Sequence, residues 1–329
     1  MFRPGPQNLI TDIAGLKVGH ATDEAVRTGV TVLLCESGWA AAVDVRGGGP
    51  GTRETDALAP ENLVGRAHAV VLAGGSVFGL AAADGVTTAL SAQGSGLQWR
   101  PGSPSIPIVP CAVLHDLGNG GDKSWGLSPP YRDLGLRAAG AAQRDFALGS
   151  FGAGRGALAG MRKGGIGSAS LDLQGGLLVG ALVAVNSVGS ALMPDGKTYW
   201  AWPFELEKEF GGGGPPTGAM DLSNPAPDEA RLLAIGRLRP GVNTTIAVVA
   251  CNADLSSVEC KRVAMMAQDG IARAIRPAHT PFDGDTVFAL ASAELALDES
   301  LLRAAHIARI GSAAADCLAR AVARAVHFG

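Results

Sequence analysis

Apolar positions along the chain fall into two kinds of run. Short blocks dense in Val, Leu, Ile and Ala, bounded by Gly, Pro or Asp, predict buried strands at 30–34, 40–45, 69–72, 106–112, 177–185, 244–250 and 286–291. Longer segments predict helices at about 76–90, 134–146, 257–274 and 301–326. The third of these opens on Ser256-Ser257-Val258-Glu259. That is a capping box, in which the first Ser and the Glu each satisfy a free backbone N–H at the helix start. Strands and helices are interspersed without strict β-α-β alternation, which predicts α+β layers over a doubly wound sheet. The strands at 177–185 and 244–250 are long enough to be central, and no internal repeat is visible.

One stretch breaks the pattern. Residues 203–241 include Gly211-Gly212-Gly213-Gly214-Pro215-Pro216 and Asn224-Pro225-Ala226-Pro227. Gly and Pro at this density predict a loop or linker dispensable for packing. A short helix is expected where Asp228-Glu229-Ala230-Arg231 leads into Leu232-Leu233-Ala234-Ile235. The segment ends at Pro240-Gly241-Val242-Asn243-Thr244-Thr245-Ile246, where a turn-like entry meets a strand that begins with a hydroxyl residue.

A threonine acts as a nucleophile without a neighbouring histidine when its own backbone amine is free to serve as the base. Freeing it requires the chain to cut itself between Asn243 and Thr244. Taken alone, the dipeptide also reads as an ordinary loop-to-strand junction, since Thr is a good strand residue. A second constellation follows at His279-Thr280-Pro281-Phe282-Asp283-Gly284-Asp285, before the last strand. Carboxylates two residues apart on extended chain project to one side, share protons and shift each other's pKa. Alone, they also read as an Asp-Gly turn. His279 lies near the pair and is read as fixing the loop.

These segments, with Leu72-Ala73-Gly74-Gly75-Ser76-Val77-Phe78-Gly79-Leu80 and the opening Ile10-Thr11-Asp12-Ile13-Ala14-Gly15-Leu16-Lys17-Val18-Gly19-His20, resemble the DmpA/NylC family. That family holds L-aminopeptidase/D-Ala-esterases, β-aminopeptidases, nylon-oligomer hydrolases and a pantetheine hydrolase. The resemblance runs over nearly the whole chain. It implies a four-layer αββα sandwich like that of Ntn hydrolases, one domain over 1–329, and self-cleavage into 1–243 and 244–329. It makes Thr244 the nucleophile, Asp283 and Asp285 the acids that hold it, Asn186 the oxyanion-binding amide, and Lys163 a catalytic-site lysine of the nylon-oligomer branch. Phe78 stands where that branch has a substrate-side tyrosine. The chain departs from the aminopeptidase branch, which has a serine after glycine and a Ser-x-Glu pair. It also implies a homo-oligomer, a tetramer of two-fragment protomers.

These roles fit the residues. Asn186 ends an apolar strand, where its amide can donate to an oxyanion or bond a turn. Lys163 lies in a Gly-rich bend, as a partly buried cation or a solvated loop lysine. Ser76 follows Gly74-Gly75 and is most simply a helix N-cap, with a substrate-binding role second.

The 329 residues are 47% hydrophobic, enough for a sizeable core, and their net charge is −3. With a pI near 6.1, this gives no reason to expect nucleic acid. No signal-like start and no apolar run of membrane-spanning length is seen. Cys35, Cys111, Cys251, Cys260 and Cys317 are odd in number and scattered. They are read as reduced residues of a cytoplasmic protein. The six histidines lack metal spacing, no Gly-x-Ser-x-Gly elbow exists, and no organic cofactor is called for. Gly152-Ala153-Gly154-Arg155-Gly156 and Gly165-Ile166-Gly167 imitate a dinucleotide loop without its strand-to-helix setting.

The expectation is a self-processing hydrolase of small-molecule or peptide amides. Acyl transfer of the ornithine acetyltransferase type and a non-catalytic binding protein on the same scaffold are the alternatives.

Overall fold

The computed structural model describes residues 2–218, 220–226, 230 and 243–329. The short helix expected at 232–235 and the Pro240-Gly241 turn lie outside the described residues. Eleven strands and four α-helices follow along the described chain. The strands are β1 (Leu16–Asp23), β2 (Thr28–Val45), β3 (Thr52–Arg53), β4 (Arg66–Ala73), β5 (Cys111–Val113), β6 (Leu158–Ala159), β7 (Arg162–Lys163), β8 (Gly165–Asp172), β9 (Leu178–Asn186), β10 (Thr244–Ala253) and β11 (Thr286–Leu295). The helices are α1 (Ala82–Ala92), α2 (Tyr131–Gly140), α3 (Ser257–Ala274) and α4 (Arg303–His327).

Nine strands form one hydrogen-bonded sheet in the order β3-β5-β4-β2-β11-β10-β9-β8, with β1 beside β2. Only β10–β11 and β4–β5 are parallel within it. The long β2 joins two layers. Its first half pairs with β1 and β4, and its second half with β11. The register breaks between Leu34 and Trp39, where Ser37 and Gly38 have positive φ. The two strands expected at 30–34 and 40–45 are therefore one strand crossing from layer to layer.

Three buried cores separate four layers. Strand alternation sends successive side chains to opposite faces. On β10, Ile246, Val248 and Ala250 face the core between the sheet layers, with Phe288, Leu182 and Leu33. Ala247, Val249 and Cys251 face α3 and α4. The third core packs Val30, Val32 and Val71 against Val86 of α1 and Leu134 of α2. This is the α–β–β–α order, in the α+β class.

Helix starts and stops follow local chemistry. Ser256 Oγ accepts the Glu259 N–H and the Glu259 carboxylate accepts the Ser256 N–H, completing the capping box of α3. Helix α2 ends at Gly140, short of the expected 146, because Gln143 pairs with Val18 of β1 instead. The strand expected at 106–112 shrinks to Cys111–Val113, since Pro107 and Pro110 cannot donate to a ladder.

Strand β8 is built from a segment whose glycines look like a bend. A Cβ at Gly167 would lie 1.9 Å from the Ala321 carbonyl oxygen of α4. Glycine here lets the helix backbone rest directly on the sheet. Gly167→Ala is expected to lever α4 off β8 and cost about 1–3 kcal/mol, the usual range for overpacking. Thermal unfolding checks this, and an unchanged Tm would contradict it.

The segment from 203 is not dispensable up to Phe210. Phe210 is buried, and Glu209 forms a buried ion pair with Arg320 of α4. The Gly211–Pro216 run beyond it is largely exposed. All five cysteines are free and buried, and burial pushes their thiols up. No helix among the described residues is long and apolar enough to cross a membrane.

Candidate active site

Thr244 is the first residue of β10 and pairs across the ladder with Asn186, the last of β9. Both continue the register of Ile246 and Ala184, so both lie on the face turned to the inter-sheet core. Cross-strand partners on one face are neighbours. The hydroxyl of Thr244 donates to the carbonyl of Asn243, the residue immediately before it.

The two acids come in on the loop that feeds β11, which lies parallel to β10. Both are about 1% exposed. Asp285 Oδ1 accepts the N–H of Thr245 at 2.8 Å. Its Oδ2 accepts the backbone N–H of His279 at 3.0 Å and meets His279 Nδ1 at 2.8 Å. Asp283 Oδ1 accepts the Val188 N–H at 3.2 Å. Its Oδ2 accepts the N–H and hydroxyl of Thr280 at 2.9 and 2.6 Å. Burial first, and then the nearby charge of Asp285, push the Asp283 carboxyl up to about 6. Two adjacent residues, His279 and Thr280, thus each hold one acid. The Asp283 and Asp285 carbonyls also receive the Gly49 and Arg46 N–H groups, which ties the loop after β2 to the acids.

A cavity of about 540 Å³ opens over Thr244. It is bounded by Gly49–Thr52 after β2, by Ser76, Val77 and Leu80 after β4, and by Val113–His115 at the end of β5. Ser76 lines it, but not as the N-cap expected from sequence. It is the first residue of a 3₁₀ turn, Ser76–Ala81, whose cap position is Gly75, and no side chain caps the turn. Gly75 and Ser76 both have positive φ, and the Gly75 N–H is taken by the buried Asp116 at 2.8 Å. Phe78 is 42% exposed and packs edge-on against Trp125 at 5.5 Å, beside rather than within the cavity wall.

Asn186 is fully buried. Its Nδ2 donates to the His115 carbonyl at 3.0 Å, and its Oδ1 accepts the Leu158 N–H at 2.9 Å. An amide nitrogen carries two hydrogens, and one of them makes this bond; Asn186 itself does not line the cavity, but its bond partner His115 does. Lys163 does not line the cavity over Thr244. Its side chain is exposed and opens on a different hollow, of about 550 Å³, with Arg162, Lys197 and Tyr199. Of the two readings of this lysine, the exposed side chain agrees with the solvated one, and Lys163 sits on the short β6–β7 hairpin outside the main sheet. No group of three His, Cys, Asp or Glu side chains able to hold a metal occurs among the described residues.

Sequence reasoning missed His115, Asn119 and the loop after β2. Asn119 bridges the Gly156 carbonyl and Asn186 Oδ1 at 2.6 and 3.5 Å. The available signal was Gly47-Gly48-Gly49-Pro50-Gly51, a glycine run directly after a strand. A Cβ at Gly47 would lie 2.3 Å from the Asp285 nitrogen, so that closeness demands glycine.

The chain is similar to known proteins. The model of peptidase family S58 matches residues 8–328. An uncharacterised aminopeptidase of Mycobacterium tuberculosis is 45% identical over 334 residues, covering 96% of this chain and 92% of its own. A 6-aminohexanoate-oligomer endohydrolase of Agromyces sp. is 31% identical over 304 residues, covering 89% of this chain and 77% of its own. Among solved structures, a Burkholderia sp. β-aminopeptidase superposes with a TM-score of 0.70 at 24% identity, over 99% of this chain and 88% of its own. The L-aminopeptidase D-Ala-esterase/amidase of Ochrobactrum anthropi, described as a variant of the Ntn hydrolase fold, gives 0.67 at 22% identity, over 98% and 86%. These two likenesses bear on the fold, and both agree with the four layers.

Proposed function

Because the chain belongs to peptidase family S58 and is a hydrolase of amide bonds, we propose that it is a self-processing N-terminal-threonine amidase, cleaved between Asn243 and Thr244. The observation that carries this reading is the placement of Thr244. Its hydroxyl lies on the Asn243 carbonyl at the floor of the cavity, while Asp285 fixes the next residue, Thr245.

After cleavage, the freed Thr244 amine takes the hydroxyl proton as Oγ1 attacks the substrate carbonyl. The remaining Nδ2 hydrogen of Asn186 and a backbone N–H stabilise the oxyanion. The amine product leaves, and water resolves the ester. Asp283 and Asp285 hold the threonine in place. The reading assigns no step to Lys163, whose side chain opens on the other hollow. Val77, Leu80, Val113 and Leu114 give the cavity an apolar wall suited to an acyl chain, with Ser76 as a polar contact and Phe78 at its margin.

The relatives divide between proteins named as aminopeptidases and proteins named as 6-aminohexanoate-oligomer endohydrolases. A panel of α-peptides, β-peptides, 6-aminohexanoate oligomers and pantetheine-type amides, each with and without an added acceptor amine, tests the activity. Free acid as the product supports hydrolysis. An N-acylated acceptor in its place would reverse the reading to acyl transfer, and turnover of no amide would overturn it.

The two fragments are expected to stay together, as a cytoplasmic homo-oligomer of two-fragment protomers. Strand β10 lies between β9 and β11, and β11 pairs in turn with β2, so the small fragment occupies the middle of the sheet. Pulling it out exposes the Ile246, Val248 and Phe288 face at about 25 cal/mol per Å² of apolar area. Size-exclusion chromatography is expected to give one peak with both fragments, and separate elution of the small one would refute this.

A further inference from the structure

We infer that the backbone N–H of Gly284 is the oxyanion donor for self-cleavage. The inference rests on the reading of Thr244 as the nucleophile. The carbonyl oxygen of Asn243 accepts hydrogen bonds from the Thr244 hydroxyl and from the Gly284 N–H, the latter at 3.1 Å. Asn243 and Asp283 form a parallel bridge, which sets that N–H in place before any chemistry. In self-cleavage, this carbonyl carbon is the one attacked, so its oxygen is where negative charge develops. A donor at about 2.7–3.1 Å, already aligned, stabilises such charge without reorganisation.

The bonds balance within the chain. Thr244 Oγ1 bonds to the Asn243 carbonyl carbon, the Asn243–Thr244 C–N bond breaks, and the hydroxyl proton ends on the Thr244 nitrogen. Water then hydrolyses the ester, leaving an Asn243 carboxylate, the free amine and the restored hydroxyl.

The same geometry explains why glycine stands between the two acids. A Cβ at position 284 would lie 2.7 Å from Thr244 Oγ1 and 2.9 Å from the Gly49 carbonyl oxygen. Any side chain there displaces the hydroxyl from its carbonyl. Asp283 and Asp285 flank the donor, and their side-chain hydrogen bonds hold its peptide still.

The test removes the N–H without adding a side chain. Full-length chain is translated in vitro with glycolic acid at position 284 by nonsense suppression, which turns the amide into an ester. Appearance of fragments 1–243 and 244–329 is followed beside chain carrying glycine at 284 and beside Thr244→Ala. Self-cleavage is expected to slow about 100- to 1,000-fold, the cost of losing one oxyanion donor. Gly284→Ala is expected to slow it as well, with limited proteolysis showing a folded chain. Cleavage of the ester chain at the normal rate, with Thr244→Ala uncut, overturns this inference alone. Cleavage of Thr244→Ala overturns the nucleophile reading on which it rests.

Discussion

Thr244→Ala is expected to remain one unbroken chain and to hydrolyse no amide. Alanine removes the attacking oxygen, so the Asn243–Thr244 bond stays intact and the amine that would act as base is never freed. The fold should survive. Alanine forgoes the hydroxyl's hydrogen bond to the Asn243 carbonyl, a cost of about 1 kcal/mol. Hydrolysis is expected to fall about 10⁴-fold or more, the scale seen when a nucleophile that works as a unit with its base is deleted. Thr244→Ser and Thr244→Cys keep a nucleophile and are expected to cut, more slowly if the smaller side chain sits loosely on the carbonyl. N-terminal sequencing of the small fragment should begin Thr244-Thr245-Ile246. A different start would refute the site, and an active, uncut Thr244→Ala chain would refute the chemistry.

The candidate nucleophile was legible because it sits where two strong signals meet. A Gly/Pro-rich stretch stops, and an apolar strand begins on a hydroxyl. The acid pair was legible as Asp-Gly-Asp before a strand. What held those acids was not. Val188, the Thr280 N–H and the loop after β2 reach them through backbone groups, and a backbone N–H leaves no mark on residue type. The position of Lys163 was also beyond a linear reading. Its neighbours Gly164 and Gly165 look like one bend, yet Gly165 opens β8 of the main sheet while Lys163 stays on a two-residue hairpin strand. In the fold, the unread strands were β1, β8 and the two-residue β3, β6 and β7. Glycines that admit a helix backbone weaken the apolar pattern of β8, although that close packing is what buries it. The layer crossing of β2 was hidden for a similar reason. Ser37 and Gly38 read as a turn between two strands, but their positive φ only bends one strand onward.

The acid pair gives the second large effect, and its sign can be worked out. Burial disfavours the charge of Asp283 and Asp285 adds a like charge, which together push its carboxyl up to about 6. The folded-state pKa is raised above that of the unfolded chain. Folding therefore favours the protonated form, and this group's contribution to stability is greatest at low pH and is lost as pH rises from about 4 through about 6. Self-cleavage should run the other way. The ionised carboxylate is the form that accepts from the Val188 N–H, the Thr280 N–H and the Thr280 hydroxyl together, and it holds the loop that presents Gly284. The self-cleavage rate is expected to rise with pH through a limb near 6. Asp283→Asn puts an NH₂ group among three donors, so it should slow cleavage at every pH and erase the limb. Asp285→Asn removes the second cause of the shift and leaves the first. The limb should move to lower pH without reaching the value of an exposed aspartate, because Asp283 stays buried. General-base groups contribute about 100- to 10,000-fold, and acids that only hold the nucleophile should cost less than Thr244→Ala does. Rates of fragment appearance between pH 4 and 8 for the three chains decide the matter. A limb that stays near 6 in Asp285→Asn would show that the two carboxylates do not share a field. Normal cleavage by both Asn variants would reduce the pair to an Asp-Gly turn.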